Sequence, residues 1–556
     1  MPLSATAVSN ETPKAAAVEI DCAALALCGK ITVGEAVCVN GLDVSPRNGR
    51  AMVRGAALEM TKCLLPCVNR LGLKQGVGPL VPKYALGMTT LSIDLGTSKL
   101  CAAVVDIATG RPVAIRSCDN DTNIRGLCDD FHEQDPARTR DLTLDLIRQV
   151  LAEAGRPIDA VGISGQMHGV LLVDRSLRPV TNLMTWRDRR TAREGAGSIN
   201  ESLSLLGPEV ERRTGCRLAV GYGAATMRWL DRNGLLPPEC IGLTIAGFVA
   251  ASLTGVVCID ETHAASWGIL DVTRNVWDSD CVSRLGIRSK VLPSIIPSGT
   301  PLGEMTPAAR EFLGIQGPAI VCSPVGDCQA SVIGCAGFSP DTIVVNIGTG
   351  AQISIPSPSP AYTGDLDAWP MPFGGYLQLG AALCGGWAYA YLRRFFGETV
   401  RELAGIEIDD QAAYQRMNAL AASADPAAGG LVVDTRFCGT RRDKSVKGSI
   451  SGITTTNLTP SNLCLAFLEG IVRDLHSMYV ASASPSATRL IAGGNAVRRN
   501  PVLRSVIARL FALECSISSE PEEAVRGAAY AAAVGTGLSS RERITALARG
   551  FCQPLT

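Results

Sequence analysis

The sequence predicts an α/β protein made of two related halves that face each other across a cleft. Three observations carry that expectation. From Thr89 onward short apolar runs, at residues 91–95, 160–163, 343–347 and 489–492, alternate with helical patterns, which marks α/β architecture. One segment also echoes another: Leu91-Ser92-Ile93-Asp94-Leu95-Gly96-Thr97-Ser98 recurs as Val344-Val345-Asn346-Ile347-Gly348-Thr349-Gly350, and such self-similarity signals duplicated structure. Finally, the 556 residues are 46% hydrophobic and 19% charged, enough apolar side chain for a large core and too little charge for a disordered chain.

Residues 1–87 stand apart from this alternation. They are Cys-rich and weakly periodic, and they read as an N-terminal extension with no assigned role. Glu11, Glu19 and Asp21 argue against a transit peptide, and no charged start with an apolar centre marks a secretory leader. The chain has 20 cysteines without paired metal-spaced motifs, so reduced thiols in a cytoplasmic protein are expected. Its four histidines are well separated in sequence, which disfavours a His-based metal site. Lys+Arg 52 balances Asp+Glu 52, so neither nucleic acid nor an anionic membrane is an expected partner. Two uncharged stretches, 240–259 and 368–392, are long enough to span a bilayer. Their glycines, prolines and hydroxyls, without Lys/Arg asymmetry at their flanks, read instead as buried helix and strand.

Each copy of the echo is an apolar strand, an Asp or Asn, one apolar residue and a Gly-Thr turn, followed by a second strand at 100–105 or 352–355. Each therefore reads as a β-hairpin with a small, hydroxyl-bearing turn. Exposed turn amides with the hydroxyls of Thr97, Ser98 and Thr349 make an anion-binding concavity. Asp94, at the strand end, is placed to hold a hydrated Mg²⁺ on phosphate oxygens. A third glycine site, Gly493-Gly494, follows the strand 489–492 and precedes a helical run at 501–511; bare backbone there can take a flat base or a ribose. Gln166, Met167 and His168 form a Gly-bounded turn after the strand 160–163, where side chains line clefts in α/β folds. Asp327 follows the strand 319–322 and precedes a small-residue helix; from the residues alone it is a helix cap or a carboxylate facing the cleft.

These motifs together resemble the FGGY carbohydrate kinases of the actin/hexokinase/Hsp70-like superfamily. The resemblance rests on Ile93-Asp94-Leu95-Gly96-Thr97-Ser98, Gly162-Ile163-Ser164-Gly165-Gln166-Met167-His168-Gly169, Thr185-Trp186-Arg187-Asp188-Arg189-Arg190, Gly326-Asp327-Cys328-Gln329-Ala330, Asn346-Ile347-Gly348-Thr349-Gly350 and Gly493-Gly494, in the family's order from about Thr89 to Gly537. It implies two actin-like (ribonuclease H-like) domains with a nucleotide and sugar cleft between them. The expected division is a sugar-binding domain at 88–336 and a nucleotide-binding domain at 337–556. The implied partners are ATP, Mg²⁺ and a ketose, sedoheptulose first, with xylulose or another pentulose or polyol as the alternative. A sugar-independent ATPase of the actin or Hsp70 kind is the reading from a different class. The assembly expected is a monomer or homodimer.

The resemblance makes Asp327 the base that accepts the sugar hydroxyl's proton. It gives sugar contacts to Gln166, Met167, His168, Trp186, Asp188, Arg190, Tyr222 and Gln329. It gives nucleotide contacts to Gly96, Thr97, Ser98, Lys99, Gly348, Thr349, Gly350, Gly386, Gly493, Gly494 and Asn500. Trp186 is expected to stack on an apolar sugar face or to pack in the core. Two departures stand out. Relatives often carry a cation where this chain has Cys101, and Lys99, two residues earlier on the same strand face, is expected to replace it. The helix before Gly255 reads Gly247-Phe248 in place of a polar pair, which predicts a packing change. The Ala-rich run after Arg526 predicts close helix packing in what reads as the final helix.

Overall fold

The run Thr-Thr-Leu-Ser-Ile-Asp-Leu forms β1 (Thr89–Leu95), buried along its length except at Asp94. Such continuous burial belongs to a strand covered on both faces. The computed structural model describes residues 88–482, 486–519 and 522–555, with four short strands before them. Those four, Ala16–Asp21, Val37–Val39, Leu42–Arg47 and Arg50–Gly55, pair as an antiparallel sheet within a separate unit, Met1–Ala85. The rest of the expected extension lies outside the described residues.

In the unit Leu86–Thr556, β2 (Lys99–Asp106) and β3 (Arg111–Asp119) follow β1 as antiparallel neighbours. Helix α1 (Pro136–Ala154) then carries the chain to β4 (Ala160–Gly165), which lies parallel to β1. Asp135 caps α1 by accepting from the amides of Ala137 and Arg138, and Gly155 ends it in the left-handed conformation. Two further helices are α2 (Ile245–Thr254) and the short α3 (Glu261–Ala265). Strands β5 (Pro301–Glu304), β6 (Ile320–Cys322) and β7 (Val325–Gly326) complete the first sheet, in the order β5-β6-β4-β1-β2-β3 with β7 also beside β4.

Helix α4 (Asp327–Ala336) leads out of this sheet into β8 (Thr342–Ile347) of the second. There β9 (Ala351–Ser357), β10 (Asp367–Pro370), β11 (Tyr376–Ala382), β12 (Arg489–Gly493), β13 (Glu514–Ser518) and β14 (Cys552–Pro554) lie in the order β10-β11-β9-β8-β12-β13-β14. Between β11 and β12 run α5 (Gly386–Ala404) and α6 (Pro460–Val480). The echo seen in sequence is thus an echo in topology. The paths β3-β2-β1-β4-β6 and β11-β9-β8-β12-β13 each pass through two antiparallel and then two parallel pairings. This is the two-sheet architecture of actin-like domains.

Helix α7 (Glu523–Gly535) returns from late in the chain to pack on β1, β4 and α4. Its Ala528, Ala529, Ala531, Ala532 and Ala533 are buried, as the small-residue run predicts. The approach is closer than alanine alone permits. A Cβ on Gly527 would stand 1.8 Å from the Ala330 carbonyl oxygen, one on Gly334 1.9 Å from that of Glu523, and one on Gly162 2.1 Å from that of Ala528. Backbone therefore rests on backbone at all three places. One expectation needs correction: α7 is not the final helix, because Arg541–Arg549 follows it and packs against α4. The two uncharged stretches resolve as buried elements. One holds Ile241–Leu243, α2 and the first residue of Ile259–Asp260; the other holds most of β10, β11 and the start of α5. Among the described residues no helix is long and apolar enough to cross a membrane. In α2, Phe248 is fully buried.

The helix crossing makes a contrast that unfolding can measure. Gly527→Ala forces α4 and α7 apart and should cost about 3 kcal/mol or more in denaturant unfolding. Gly397→Ala, on α5 with open space around it, should be neutral or stabilising by up to about 1 kcal/mol.

Candidate active site

The ends of β1, β4 and β7 form the floor of the site. Their register aligns Asp94 with Ser164 and Ser164 with Val325, then Leu95 with Gly165 and Gly165 with Gly326. Strand spacing sets β1 and β7 about 10 Å apart. The Ser164 hydroxyl donates to Asp94 Oδ1 at 2.8 Å. Asp327 is the first helical residue of α4, with Gly326 at the cap position. Burial raises the Asp327 carboxyl above its ordinary value. Burial first, and then the Asp327 charge, lift Asp94 to about 7. Two carboxylates near one another each disfavour the other's ionisation.

Thr97, in the turn between β1 and β2, is the hub of a hydrogen-bond network. Its hydroxyl accepts from the Trp186 indole at 2.8 Å and donates to Gln166 Oε1 at 3.0 Å. The Gln134 amide nitrogen donates to the Thr97 carbonyl at 2.7 Å, and Gln166 Nε2 donates to Gln134 Oε1 at 3.0 Å. The Thr97 hydroxyl proton is committed, which leaves the turn's amides and exposed Ser98 to face a ligand. Trp186 is 46% exposed, so it does not pack in the core; the Arg187 guanidinium lies over its ring.

Asp188 and Arg190 are given to each other. Asp188 accepts from Arg190 Nε and Nη2 and from the His132 amide, while Arg190 also reaches Glu133 and lies over Phe131. Both are buried, so they anchor the Trp186 segment. The sequence motif alone does not distinguish these roles, because an Asp and an Arg two residues apart serve either.

His168 stands on the other side of the site with φ 72°. Its ring stacks on Tyr222 at 4.3 Å between centroids and meets Trp369 edge-on at 5.4 Å. Burial, with the Arg441 charge among the lesser causes, lowers its pKa to about 3, so the ring is neutral. Nδ1 lies 2.9 Å from the Ser266 carbonyl oxygen and must donate to it. Nε2 is therefore left as an acceptor. Met167 is buried, and its sulfur would lie 2.8 Å from a Cβ on Gly326, so it packs beneath the floor. Gln329 is also buried; its Nε2 donates to the Pro370 carbonyl at 3.1 Å, and its Oε1 has no partner.

Three residues of this wall were not legible beforehand. Trp369 comes from β10 of the second sheet. Arg441 donates to the Tyr222 hydroxyl at 2.9 Å and to Asp367 at 2.8 Å. No local motif announces any of them, since their partners lie far away in sequence.

The second turn gathers the other glycine sites. Gly386 N donates to the Gly348 carbonyl at 2.8 Å, and Gly385 N to that of Thr349 at 3.1 Å. A Cβ on Gly386 would lie 2.6 Å from Gly348 O, and one on Gly494 2.5 Å from Asn346 Oδ1. Residues 348–350, 386 and 493–494 therefore converge on one cradle of bare backbone. Asn500 does not open onto it: it is buried, caps the helix Pro501–Phe511 and donates to Asn418. Lys99 pairs with the Glu522 carboxylate, while Arg498 pairs with Glu523 at 2.8 Å. The start of α7 thus ties the strand after the first turn to the helix after Gly494. Among the described residues no cluster of three or more His, Cys, Asp or Glu side chains could hold a metal ion. One carboxylate such as Asp94 suits a Mg²⁺ that keeps water and phosphate ligands.

The sequence matches the models for the FGGY family of carbohydrate kinases, the N-terminal domain over residues 89–334 and the C-terminal domain over 343–536. It is similar to sedoheptulokinase of Homo sapiens, 28% identical over 476 residues that cover 79% of this chain and 96% of that protein. In fold it is similar to xylulose kinase from Rhodospirillum rubrum, with TM-score 0.74 and 21% identity over 84% of this chain and 93% of that one. It is also similar to Plasmodium falciparum glycerol kinase with ADP, with TM-score 0.70 and 19% identity over 83% and 92%.

The raised pKa of Asp94 has a measurable sign. Its carboxyl stays protonated up to about 7 in the folded, ligand-free chain but only to about 3.8 when unfolded. The folded state therefore loses stability as pH rises through that window. Asp94→Asn should stabilise the ligand-free protein at pH 8, by up to about 4 kcal/mol, by about 1.5 kcal/mol at pH 5, where only the unfolded carboxyl has ionised, and by nothing measurable near pH 3; thermal unfolding across these pH values checks it.

Proposed function

The chain belongs to the FGGY family of carbohydrate kinases, a phosphotransferase acting on a sugar, and from that premise we propose that it transfers the γ-phosphoryl group of ATP to the terminal hydroxyl of a ketose, giving sedoheptulose 7-phosphate from sedoheptulose. The observation that carries the reaction is the half-buried Asp327 carboxylate, directly after β7 on the same floor as Asp94. The near full-length likeness to human sedoheptulokinase supports the choice of sugar. The fold likeness to a xylulose kinase supports the second reading, a pentulose or polyol acceptor. The wall of His168, Tyr222 and Trp369 argues against a sugar-independent ATPase, which would have no use for it.

In this reading the ketose lies against the His168–Tyr222–Trp369 wall. His168 Nε2 accepts a hydrogen bond from one sugar hydroxyl, Gln329 Oε1 accepts one from another, and Trp186 covers the open side. Gln166 acts through Thr97, coupling the sugar side to the phosphate turn. The turns at 96–98 and 348–350 hold the phosphates from two sides, and the backbone at Gly386 and Gly493-Gly494 receives the nucleoside. Asp94 would hold Mg²⁺, which supplies neutralising charge on the phosphate oxygens. The terminal hydroxyl oxygen attacks the γ-phosphorus, its proton passes to Asp327, and the bond to the bridging oxygen of ADP breaks. Closure of the sugar-binding half, 88–336, on the nucleotide-binding half, 337–556, excludes the water that would otherwise take the phosphoryl group. The free thiols of the described residues fit a cytoplasmic enzyme, acting as a monomer or homodimer.

A coupled ADP assay across sedoheptulose, xylulose, ribulose, fructose and glycerol tests the substrate. The highest kcat/KM is expected with sedoheptulose; ADP release indifferent to sugar would refute a sugar kinase site. Asp327→Asn should lower turnover a hundredfold or more, the scale of general-base loss, while sugar binding by calorimetry is largely kept.

A further inference from the structure

Beneath the floor lies a fully buried ion pair that the reaction as described does not use. Asp260 precedes α3, and its Oδ1 accepts from the Thr262 amide at 3.0 Å, the His263 amide at 3.2 Å, the Ser298 hydroxyl at 3.0 Å and the Thr262 hydroxyl. Its Oδ2 meets His263 Nδ1 at 2.5 Å. A carboxylate with so many donors is ionised, and its pKa is lowered in spite of burial. The other ring nitrogen of His263, Nε2, lies 3.2 Å from the Gly165 carbonyl oxygen, which can only accept. Both ring nitrogens thus face acceptors, and only the imidazolium donates from both. Burial works against that charge, but Asp260 outweighs it and the pKa of His263 is raised.

This cation is not remote from the chemistry. Gly165 pairs with Gly326 across β4 and β7, and the Gly326 amide donates to the Thr262 hydroxyl at 2.8 Å. Helix α3 is therefore pinned to the residue just before Asp327. We propose that His263 is a positioning residue: held as a buried imidazolium between Asp260 and the Gly165 carbonyl, it keeps the Asp327 carboxylate charged and ready to take the sugar hydroxyl's proton. The proposal rests on Asp327 being the base.

The groups that face Asp327 are His263 from α3, Asp94 from β1 and Cys328 beside it on α4. Burial pushes Asp327 towards its neutral form, and the Asp94 charge interacts with it in the same sense. The Cys328 thiol is itself pushed far up by burial and stays neutral. His263 is the facing cation that opposes these effects. Without it burial of Asp327 would be unopposed by any facing cation.

The test is the pH profile of kcat/KM for sugar phosphorylation in the parent, His263→Asn and Asp260→Asn. Both variants should move the acid limb up by about one pH unit, costing up to about tenfold on the acid side of the limb and nothing on the plateau above it. A merely structural role would lower the whole profile without moving the limb, and an unmoved limb overturns the proposal. Asp327→Asn separates the two readings. If it is inactive while His263→Asn leaves the limb in place, only the positioning role falls; if it retains full turnover, the base assignment falls and the positioning role with it. Should either His263 or Asp260 variant fail to fold, ¹⁵N-histidine NMR of the intact parent decides. With four histidines in the chain, substitutions of the other three assign the spectrum. His263 should keep both ring nitrogens protonated at pH 7, and a neutral ring there overturns the proposal.

Discussion

Backbone pressed on backbone at the crossing of α4 and α7 is the constraint from which the site's geometry follows. Gly334, Gly527 and Gly162 leave no room for a Cβ, so the two helices and β4 have one depth of contact available to them. Asp327 opens α4, and α7 opens at Glu523. Fixing the crossing therefore fixes the acid relative to the residues that pair with Lys99 on one side and Arg498 on the other. Packing of small residues thus sets a distance that the chemistry needs, without any ligand being involved.

Charge is the second organising quantity. The floor collects Asp94 and Asp327 where burial disfavours both, and phosphates would add negative charge. Such a floor tolerates an anion only if cations compensate. The compensation visible in the protein is buried at His263 and more exposed at Lys99, which Glu522 already engages. The sugar wall is arranged otherwise: His168 is neutral and Tyr222 is held as a phenol by burial, as suits groups that meet uncharged hydroxyls. The two sides of the site thus differ in electrostatics as their proposed ligands differ in charge.

Much of this was legible in the residues. The hairpins at Asp94 and Asn346 could be read because an apolar strand, a Gly-Thr turn and a second strand are local features, and duplication made them recognisable. Pro501–Phe511 has the bounds its pattern predicts, since Asn500 caps it and Pro501 occupies its first turn. Other features were invisible for physical reasons. The buried pairing of Asp188 with Arg190 is a matter of where two side chains turn, which spacing does not decide. Trp369 and Arg441 act on His168 and Tyr222 through tertiary contact alone. Asp260 and His263 did carry a faint signal, an acid three residues before a histidine at a helix start, but that pattern commonly means no more than a cap. Lys99 was expected to face phosphate, and a carboxylate too distant in sequence to suspect engages it.

The central claim is that both hairpin turns grip one triphosphate whose terminal phosphorus lies between them, next to a ketose hydroxyl under Asp327. A crystal structure with a non-hydrolysable ATP analogue and sedoheptulose measures it directly. The account predicts the γ-phosphate between residues 96–98 and 348–350, with the terminal sugar hydroxyl within about 3.2 Å of an Asp327 carboxylate oxygen. A nucleotide seated away from either turn, or a sugar whose accepting hydroxyl turns away from Asp327, would contradict it.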